Sequence, residues 1–209
     1  MADTTDHPTR VVLRPLATPL PLGFLALVLA TTVFSAVQLG WIPPAEGRIA
    51  GITALFATVP LQLLAAVIGF LARDPVAATG MGVLTGTWAV VGLTTVTSPP
   101  GALSKGLGVV LIVAGACMLV PAVSAGAKLV PGAVMALAGV RFATTGVFHL
   151  TASVDWKAAA GWIGLALGVL AFYAALALEL EGATGRAVLP LGRREPAEPA
   201  GEPGVRAQL

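Results

Sequence analysis

Polar side chains recur along one face of the first apolar stretch, and their chemistry suggests a path through a membrane. Thr31, Ser35 and Gln38 follow one another at helical spacing, so they stack on one side of a helix. Leu27 leads the same face. Polar groups in hydrocarbon are costly, so this face should turn toward protein or a water-filled path rather than toward lipid. The pattern indicates either a pore wall or hydrogen bonding between helices.

One charged residue lies deep inside an apolar run. Arg141 is followed by Thr145 and His149 at steps of four, so the three share a helix face. An Arg at mid-span costs about 2.5–3.5 kcal/mol on insertion scales, so it should face a cavity or a partner. Arg141 could attract an anion beside the path, pair with Asp155 or Glu46 at a contact between protomers, or reach a lipid headgroup. His149 is interpreted as an interfacial residue, with proton sensing as the alternative.

The composition is that of a membrane protein. The 209 residues are 56% hydrophobic and only 11% charged, whereas soluble domains carry about 25% charged residues. Two histidines and one cysteine exclude a disulfide within the chain and give no spacing for a metal or cofactor site or for a nucleophile–base pair, so we do not expect an enzyme. The scattered basic residues do not suggest nucleic-acid binding. Cys117 is expected to be a buried free thiol.

The hydropathy pattern predicts an all-α integral membrane protein with six transmembrane helices. Residues 19–192 form the membrane domain, preceded by a polar segment, 1–18, without the features of a cleaved signal and followed by a disordered tail, 193–209. The distribution of Lys and Arg predicts that both termini lie in the cytoplasm. The predicted spans are about 22–41, 49–71, 76–97, 106–125, 129–150 and 158–180.

Proline and glycine residues occur inside several of these spans. Pro60 and Pro121 each fall inside a span and are expected to kink it. Gly82 and Gly86 in the third span form a small-xxx-small pattern, which predicts a close contact between helices. Trp41 is expected to close the first span at the membrane interface.

Two stretches, at opposite ends of the membrane domain, resemble the acetate uptake transporter family, also called the succinate–acetate permease family. That family opens its first span with Asn-Pro-Ala-Pro-Leu-Gly-Leu, and residues 18–24 read Thr-Pro-Leu-Pro-Leu-Gly-Phe. Its last span ends in Gly-Arg-Thr-Val-Leu-Pro, and residues 185–190 read Gly-Arg-Ala-Val-Leu-Pro. A weaker match is the segment from Thr79 to Trp88. The residues that carry the opening motif are Thr18, Pro19, Pro21, Leu22 and Gly23.

The resemblance implies a six-helix protomer in a homo-oligomeric ring, a hexamer in the family, with one path for acetate or succinate across the inner membrane in each protomer. The family's hydrophobic constriction falls on Leu27 and Leu84, where this chain has aliphatic side chains instead of rings. Proton coupling is unsettled at the family level. Arg141 has no family counterpart that can be placed.

The leading hypothesis is therefore a transporter or channel that moves acetate and similar short-chain carboxylates across the lipid bilayer. The alternative is a channel for a small neutral solute such as urea or ammonia, which aliphatic gates and Thr linings also suit. Leu84, Thr87 and Thr94 share a face of the third span, as Leu27 shares one with the polar residues of the first. The residues predicted to line the path or bind substrate are Thr31, Ser35, Gln38, Thr87, Thr94 and Arg141.

Overall fold

The computed structural model describes residues 16–126 and 128–192, and the secondary-structure elements in these ranges are helices. The polar segment as far as residue 15 and the tail from residue 193 lie outside the described residues. A 3₁₀ turn, Pro44–Glu46, and a π-helical segment, Ala54–Thr58, accompany the α-helices. The α-helices are α1 Leu20–Gln38, α2 Arg48–Thr53, α3 Val59–Leu71, α4 Pro75–Thr97, α5 Lys105–Cys117, α6 Leu119–Ser124, α7 Leu129–Thr151 and α8 Val154–Thr184.

Six of the helical stretches are long and apolar enough to cross a membrane, which confirms the predicted all-α membrane fold. The second stretch joins the 3₁₀ turn, α2, the π segment and α3, and the fourth joins α5 and α6. Many large apolar side chains point outward; Phe56, for example, is 78% exposed. A water-facing surface would not tolerate such a belt, so lipid covers it.

The six spans form a closed arrangement. α1 packs against α8 and α3, α8 packs against α7, and α7 packs against α5. α3 also packs on α4, and α4 in turn contacts α5 and α6. These contacts complete the closed arrangement of the six spans. We call the end where residues 39–47, 98–104 and 152–153 connect the helices the loop end, and the end where α1 begins and α8 finishes the terminal end.

Close packing between α5 and α7 fixes the rotation of α7. A Cβ added at Gly115 or at Gly139 would lie 2.7 Å from the carbonyl oxygen of the other glycine, so only glycine permits this approach. Arg141 follows Gly139 by two residues, about 200° around the helix. The face of α7 that carries Arg141 is therefore turned away from α5 and toward the bundle interior.

Pro60 and Pro121 each interrupt the span in which they lie. Proline cannot donate the backbone hydrogen bond that continues a helix. The π-helical segment immediately precedes the turn that contains Pro60. Pro121 leaves the carbonyl of Cys117 without its usual donor, and α5 ends at that residue before α6 begins at Leu119.

Several span ends differ from the sequence prediction, and two of them have a clear local cause. α1 ends at Gln38 rather than at Trp41, because Gly40 takes a positive φ of 76° that turns the chain. Trp41 packs edge-on against Trp162 instead, with ring centroids 6.1 Å apart. α8 begins at Val154, not near residue 158, because the Ser153 hydroxyl caps it by accepting from the backbone N–H of Trp156.

Two expectations about packing were wrong within the protomer. Cys117 is exposed on the outer surface rather than buried. No atom lies within 4 Å of a Cβ built at Gly82 or Gly86, so these residues make no close helix contact inside the described chain. The spacing of Gly82 and Gly86 predicts a face of α4 without large side chains. It does not show whether that face points into the protomer or outward.

Candidate functional site

The polar face of α1 and the buried arginine of α7 meet in the bundle interior. Arg141 is only 2% exposed. Its Nε donates to the Thr31 hydroxyl at 2.7 Å, and its Nη1 donates to the Thr145 hydroxyl at 3.0 Å. Its Nη2 makes longer contacts with the Thr31 carbonyl at 3.5 Å, the Ser35 hydroxyl at 3.4 Å and Oε1 of Gln38 at 3.3 Å. The two patterns found separately in the sequence thus form one cluster.

A glycine on α8 makes room for this cluster. A Cβ at Gly164 would overlap the hydroxyl of Ser35 and lie 2.5 Å from Nε of Arg141. The Thr31 hydroxyl also donates to the carbonyl of Gly164, at 3.2 Å. The guanidinium is therefore fixed between α1, α7 and α8.

Arg141 has no carboxylate partner among residues 16–126 and 128–192. Its hydrogen-bond acceptors there are all neutral oxygens. Neither Asp155 nor Glu46 pairs with it within the protomer; the ion pair that the structure shows, between Lys128 and Asp74 at 3.7 Å, lies at the terminal end. A buried cation without a counterion is an attractive site for an anion.

A cavity of about 170 Å³ opens at the loop end and reaches Arg141. Within residues 16–126 and 128–192, its charged lining residues are Arg48, Lys157 and Arg141, with no Asp or Glu among them, and His149 lies near its mouth. We call it the loop-side cavity. Because its charges share one sign, it concentrates anions and repels cations.

Three aromatic rings form the deep end of the loop-side cavity. The ring centroids of Phe34 and Phe142 each lie 5.5 Å from the ring of Trp88. We call these three residues the aromatic floor. Sequence reasoning did not assign them a role, although Phe34 follows Leu27 by seven residues and Trp88 follows Leu84 by four, so each continues a leucine face that was recognised.

The two leucines predicted to form a constriction lie deeper than the aromatic floor. Leu27 and Leu84, the leucine pair, are fully buried in the apolar core and do not line the loop-side cavity. Leu84 precedes Trp88 by one helical turn, about 6 Å along the axis. In this conformation the interior is filled at the level of the leucine pair.

The remaining predicted residues separate into two groups. Thr94 and His149 line the cavity, and Nδ1 of His149 accepts from the backbone N–H of Ser104 at 3.3 Å. Thr87 is buried away from the cavity, and its hydroxyl donates to the Val83 carbonyl of its own helix at 2.8 Å. A threonine that bonds its own helix satisfies its hydroxyl without lining a path.

The opening motif contributes to packing at the terminal end of α1. The carbonyl of Gly23 accepts from Nε2 of Gln62 at 3.4 Å, and the carbonyl of Ala26 accepts from the hydroxyl of Thr58 at 2.9 Å. Both donors belong to the second span. Within the motif, Thr18 is exposed, Leu22 is half-buried, and Pro19, Pro21 and Gly23 are buried.

Comparisons with known proteins show a likeness to a solved structure. No family model matches the chain, and no curated protein matches it significantly. Among solved structures, the chain is similar to a bacterial acetate channel, SatP, with a TM-score of 0.74. The likeness covers 85% of this chain and 99% of that one, at 26% sequence identity.

The likeness is to a channel rather than to an enzyme, and it extends over nearly the whole membrane domain. It agrees with the motifs at both ends of the domain and with the number of spans. The chain is therefore a multi-pass membrane protein whose fold is similar to that of the acetate channel SatP, which supports the family resemblance of its terminal motifs.

Proposed function

We propose that the protein moves acetate and similar short-chain monocarboxylates across the membrane. The observation that carries this proposal is the charge of the loop-side cavity, whose charged lining residues are all cationic. The deepest of them, Arg141, has only neutral oxygen partners. The similarity to an acetate channel supports the same substrate class.

Arg141 would replace the water that a carboxylate loses on entering the bundle. A planar guanidinium matches the geometry of a carboxylate and stays charged inside a protein. Hydrogen bonds to Thr31 and Thr145 hold it in place before the anion arrives. A pre-positioned donor does not have to be ordered during binding, so the anion site is ready at the cavity's deep end.

The leucine pair would act as the barrier to conduction. Leu27 on α1 and Leu84 on α4 are both fully buried in the core. An apolar constriction of this kind opens and closes by wetting and dewetting. A proton-coupled mode would use His149, which is half-buried near the cavity mouth and belongs to the residue type that titrates near neutral pH.

The surface supports assembly into a ring, which we propose to be a hexamer. The exposed face of α4 around Gly82 and Gly86 has no neighbour within the protomer, so a second copy could approach it closely. The sequence carries more Lys and Arg before the first span, after the last span and in the second and fourth connections than in the other connections, which supports cytoplasmic termini. The family resemblance supports an inner-membrane location.

Uptake into liposomes tests the transport proposal. Labelled acetate and labelled urea would be offered to liposomes that hold the full chain, Arg141→Gln or Leu84→Trp. We expect acetate uptake to fall at least about tenfold in Arg141→Gln, equivalent to ~1.4 kcal/mol, and to stop when Trp fills the constriction. Arg186→Gln, at an exposed position of the terminal end, is the matched control and should transport normally.

Two results would contradict the proposal. Urea uptake without acetate uptake would favour a channel for neutral solutes. Acetate uptake that is unchanged in Arg141→Gln would show that the buried cation is not part of the path.

A further inference from the structure

We propose that the deep end of the loop-side cavity binds monocarboxylates whose apolar tail is larger than that of acetate, with Arg141 and the indole N–H of Trp88 holding the carboxylate. The inference rests on the proposed transport of carboxylates and specifies their class. Three independent features carry it: an unpaired donor, a partly satisfied guanidinium, and a large apolar space.

Trp88 contributes a hydrogen-bond donor without an acceptor. The side chain lines the cavity and is only 1% exposed, and its Nε1 has no hydrogen-bond partner among the described residues. A buried polar group without a partner is destabilising and rare in native structures, so it calls for a specific explanation. A carboxylate oxygen is the acceptor that would satisfy this N–H, and the cationic lining already favours that ligand.

Arg141 has donor capacity left for a ligand. Its Nε hydrogen bond to Thr31 is short, at 2.7 Å, whereas the contacts of Nη2 with Ser35 and Gln38 are 3.4 and 3.3 Å. A guanidinium carries five N–H donors, and long contacts of this kind use the Nη2 protons weakly. Gln38 also lines the cavity, so a carboxylate that approaches from this side can take over the contact with Nη2.

The cavity that these donors line is larger than acetate requires. The cavity volume is about 170 Å³, whereas an engineered apolar cavity of about 150 Å³ accommodates benzene. A single methyl group would leave most of this wall uncovered, and a longer or cyclic tail would cover it. The apolar side chains that line the space include Phe34, Val91, Leu107, Leu111 and Phe142.

The same wall disfavours dicarboxylates. The second carboxylate of succinate would lie where a monocarboxylate places its tail, against apolar side chains such as Val91, Leu107 and Leu111. Burying a charge without a partner costs far more than burying a methylene. The site should therefore bind butyrate more tightly than succinate, although the two have the same number of carbon atoms.

Competition measurements test this specificity. Acetate, butyrate, hexanoate, benzoate and succinate would compete with labelled acetate for binding to the purified full chain. We expect affinity to rise about two- to fourfold for each added methylene up to butyrate. We expect succinate to bind at least about tenfold more weakly than butyrate, because its second carboxylate would lie against the apolar side chains that contact the tail.

Two variants separate the carboxylate contact from the tail contact. Trp88→Phe keeps a ring but removes the donor, so it should weaken acetate and butyrate by the same factor, about tenfold. Leu111→Ala removes part of the wall, so it should lower the affinity for butyrate by a larger factor than the affinity for acetate. Trp162→Phe, at a position that is 60% exposed on the outer surface, is the matched control.

The outcomes distinguish this inference from the transport proposal. Equal affinities for acetate and butyrate, or unchanged binding in Trp88→Phe, would overturn the inference even if acetate uptake depends on Arg141. If apolar acids bind as expected while no carboxylate crosses the membrane, the binding site stands and the transport proposal fails.

Discussion

The two halves of the bundle interior differ in chemistry although the same helices build both. Toward the loop end, α1 and α7 present Thr31, Ser35 and Arg141 beside an open cavity. Toward the terminal end, α1 and α4 present the leucine pair in a filled apolar core. Leu27 and Thr31 are one helical turn apart on one face of α1. In the proposed path, the binding site and the barrier thus occupy successive levels, so each can be altered separately.

Polar side chains have different roles in the two halves. In the loop-side half, the polar atoms of α1 accept from Arg141, which reaches the cavity. In the terminal half, Thr58 and Gln62 of the second span donate to carbonyls of α1 and contribute to helix packing. A polar residue in a membrane helix therefore marks a path only when its partner also faces an opening.

The largest expected effect comes from removing the space that Gly164 leaves for the arginine. Gly164→Leu would push its side chain into the positions of Arg141 and the Ser35 hydroxyl. Overpacking a well-packed interior costs about 1–3 kcal/mol and moves side chains. We expect acetate uptake by liposomes to fall to the background rate, whereas the packing of the terminal half should not change.

Gly182→Leu provides the matched control for that substitution. Gly182 lies on the same helix, near its terminal end, and nothing lies within 4 Å of a Cβ built there. Both variants should elute from size exclusion as the native protein does. Normal uptake by folded Gly164→Leu would mean that transport does not depend on the position of Arg141. The proposed division between a binding half and a barrier half would then be wrong.

The second prediction concerns the filled half. If the leucine pair limits the rate, Leu84→Ala should raise acetate uptake about fivefold, which corresponds to a barrier lower by ~1 kcal/mol. The reason is that a smaller side chain at an apolar constriction makes wetting easier. Initial rates of uptake at saturating acetate measure the effect, and Leu27→Ala should act in the same direction.

Leu167→Ala separates this effect from general loosening of the core. Leu167 is also buried, but it lies on α8 and does not line the cavity. Each Leu→Ala change costs about 2–5 kcal/mol of stability, so all three variants should show lowered melting temperatures. Only the two at the constriction should conduct faster; an equal gain in Leu167→Ala would show that the leucine pair is not the barrier.

The sequence was sufficient for the membrane fold because hydropathy and span length respond to the bilayer alone. It was also sufficient to identify the polar face of α1 and the anomalous Arg141. It did not predict that these two features meet, because that depends on the rotation of α7, which the contact between Gly115 and Gly139 sets. Rotation about a helix axis is a property of packing between spans and leaves no signal within one span.

The aromatic floor was missed for a related reason. The family resemblance identifies only the leucine positions. It says nothing of the residues that lie one turn further along the same face of α4 and two turns further along that of α1. Trp88 and Phe34 lie at those positions, and the cavity ends at them rather than at the leucine pair. The end of α1 at Gln38 was also missed, because Gly40 interrupts an apolar pattern that hydropathy reads as continuous.

The smallest expected effect concerns the mouth of the loop-side cavity. Lys157→Glu replaces a cation in the lining with an anion, so acetate should be less concentrated there and its KM for uptake should rise about two- to fourfold at low salt. The maximal rate should not change, because Arg141 and the leucine pair are intact. At about 1 M salt the Debye length is only ~3 Å, so the effect should disappear.

Lys105→Glu, exposed at the same end but outside the lining, is the control. An equal, salt-sensitive rise in KM for both variants would assign the effect to the charge of the whole surface and would remove the distinction between the cavity and its surroundings.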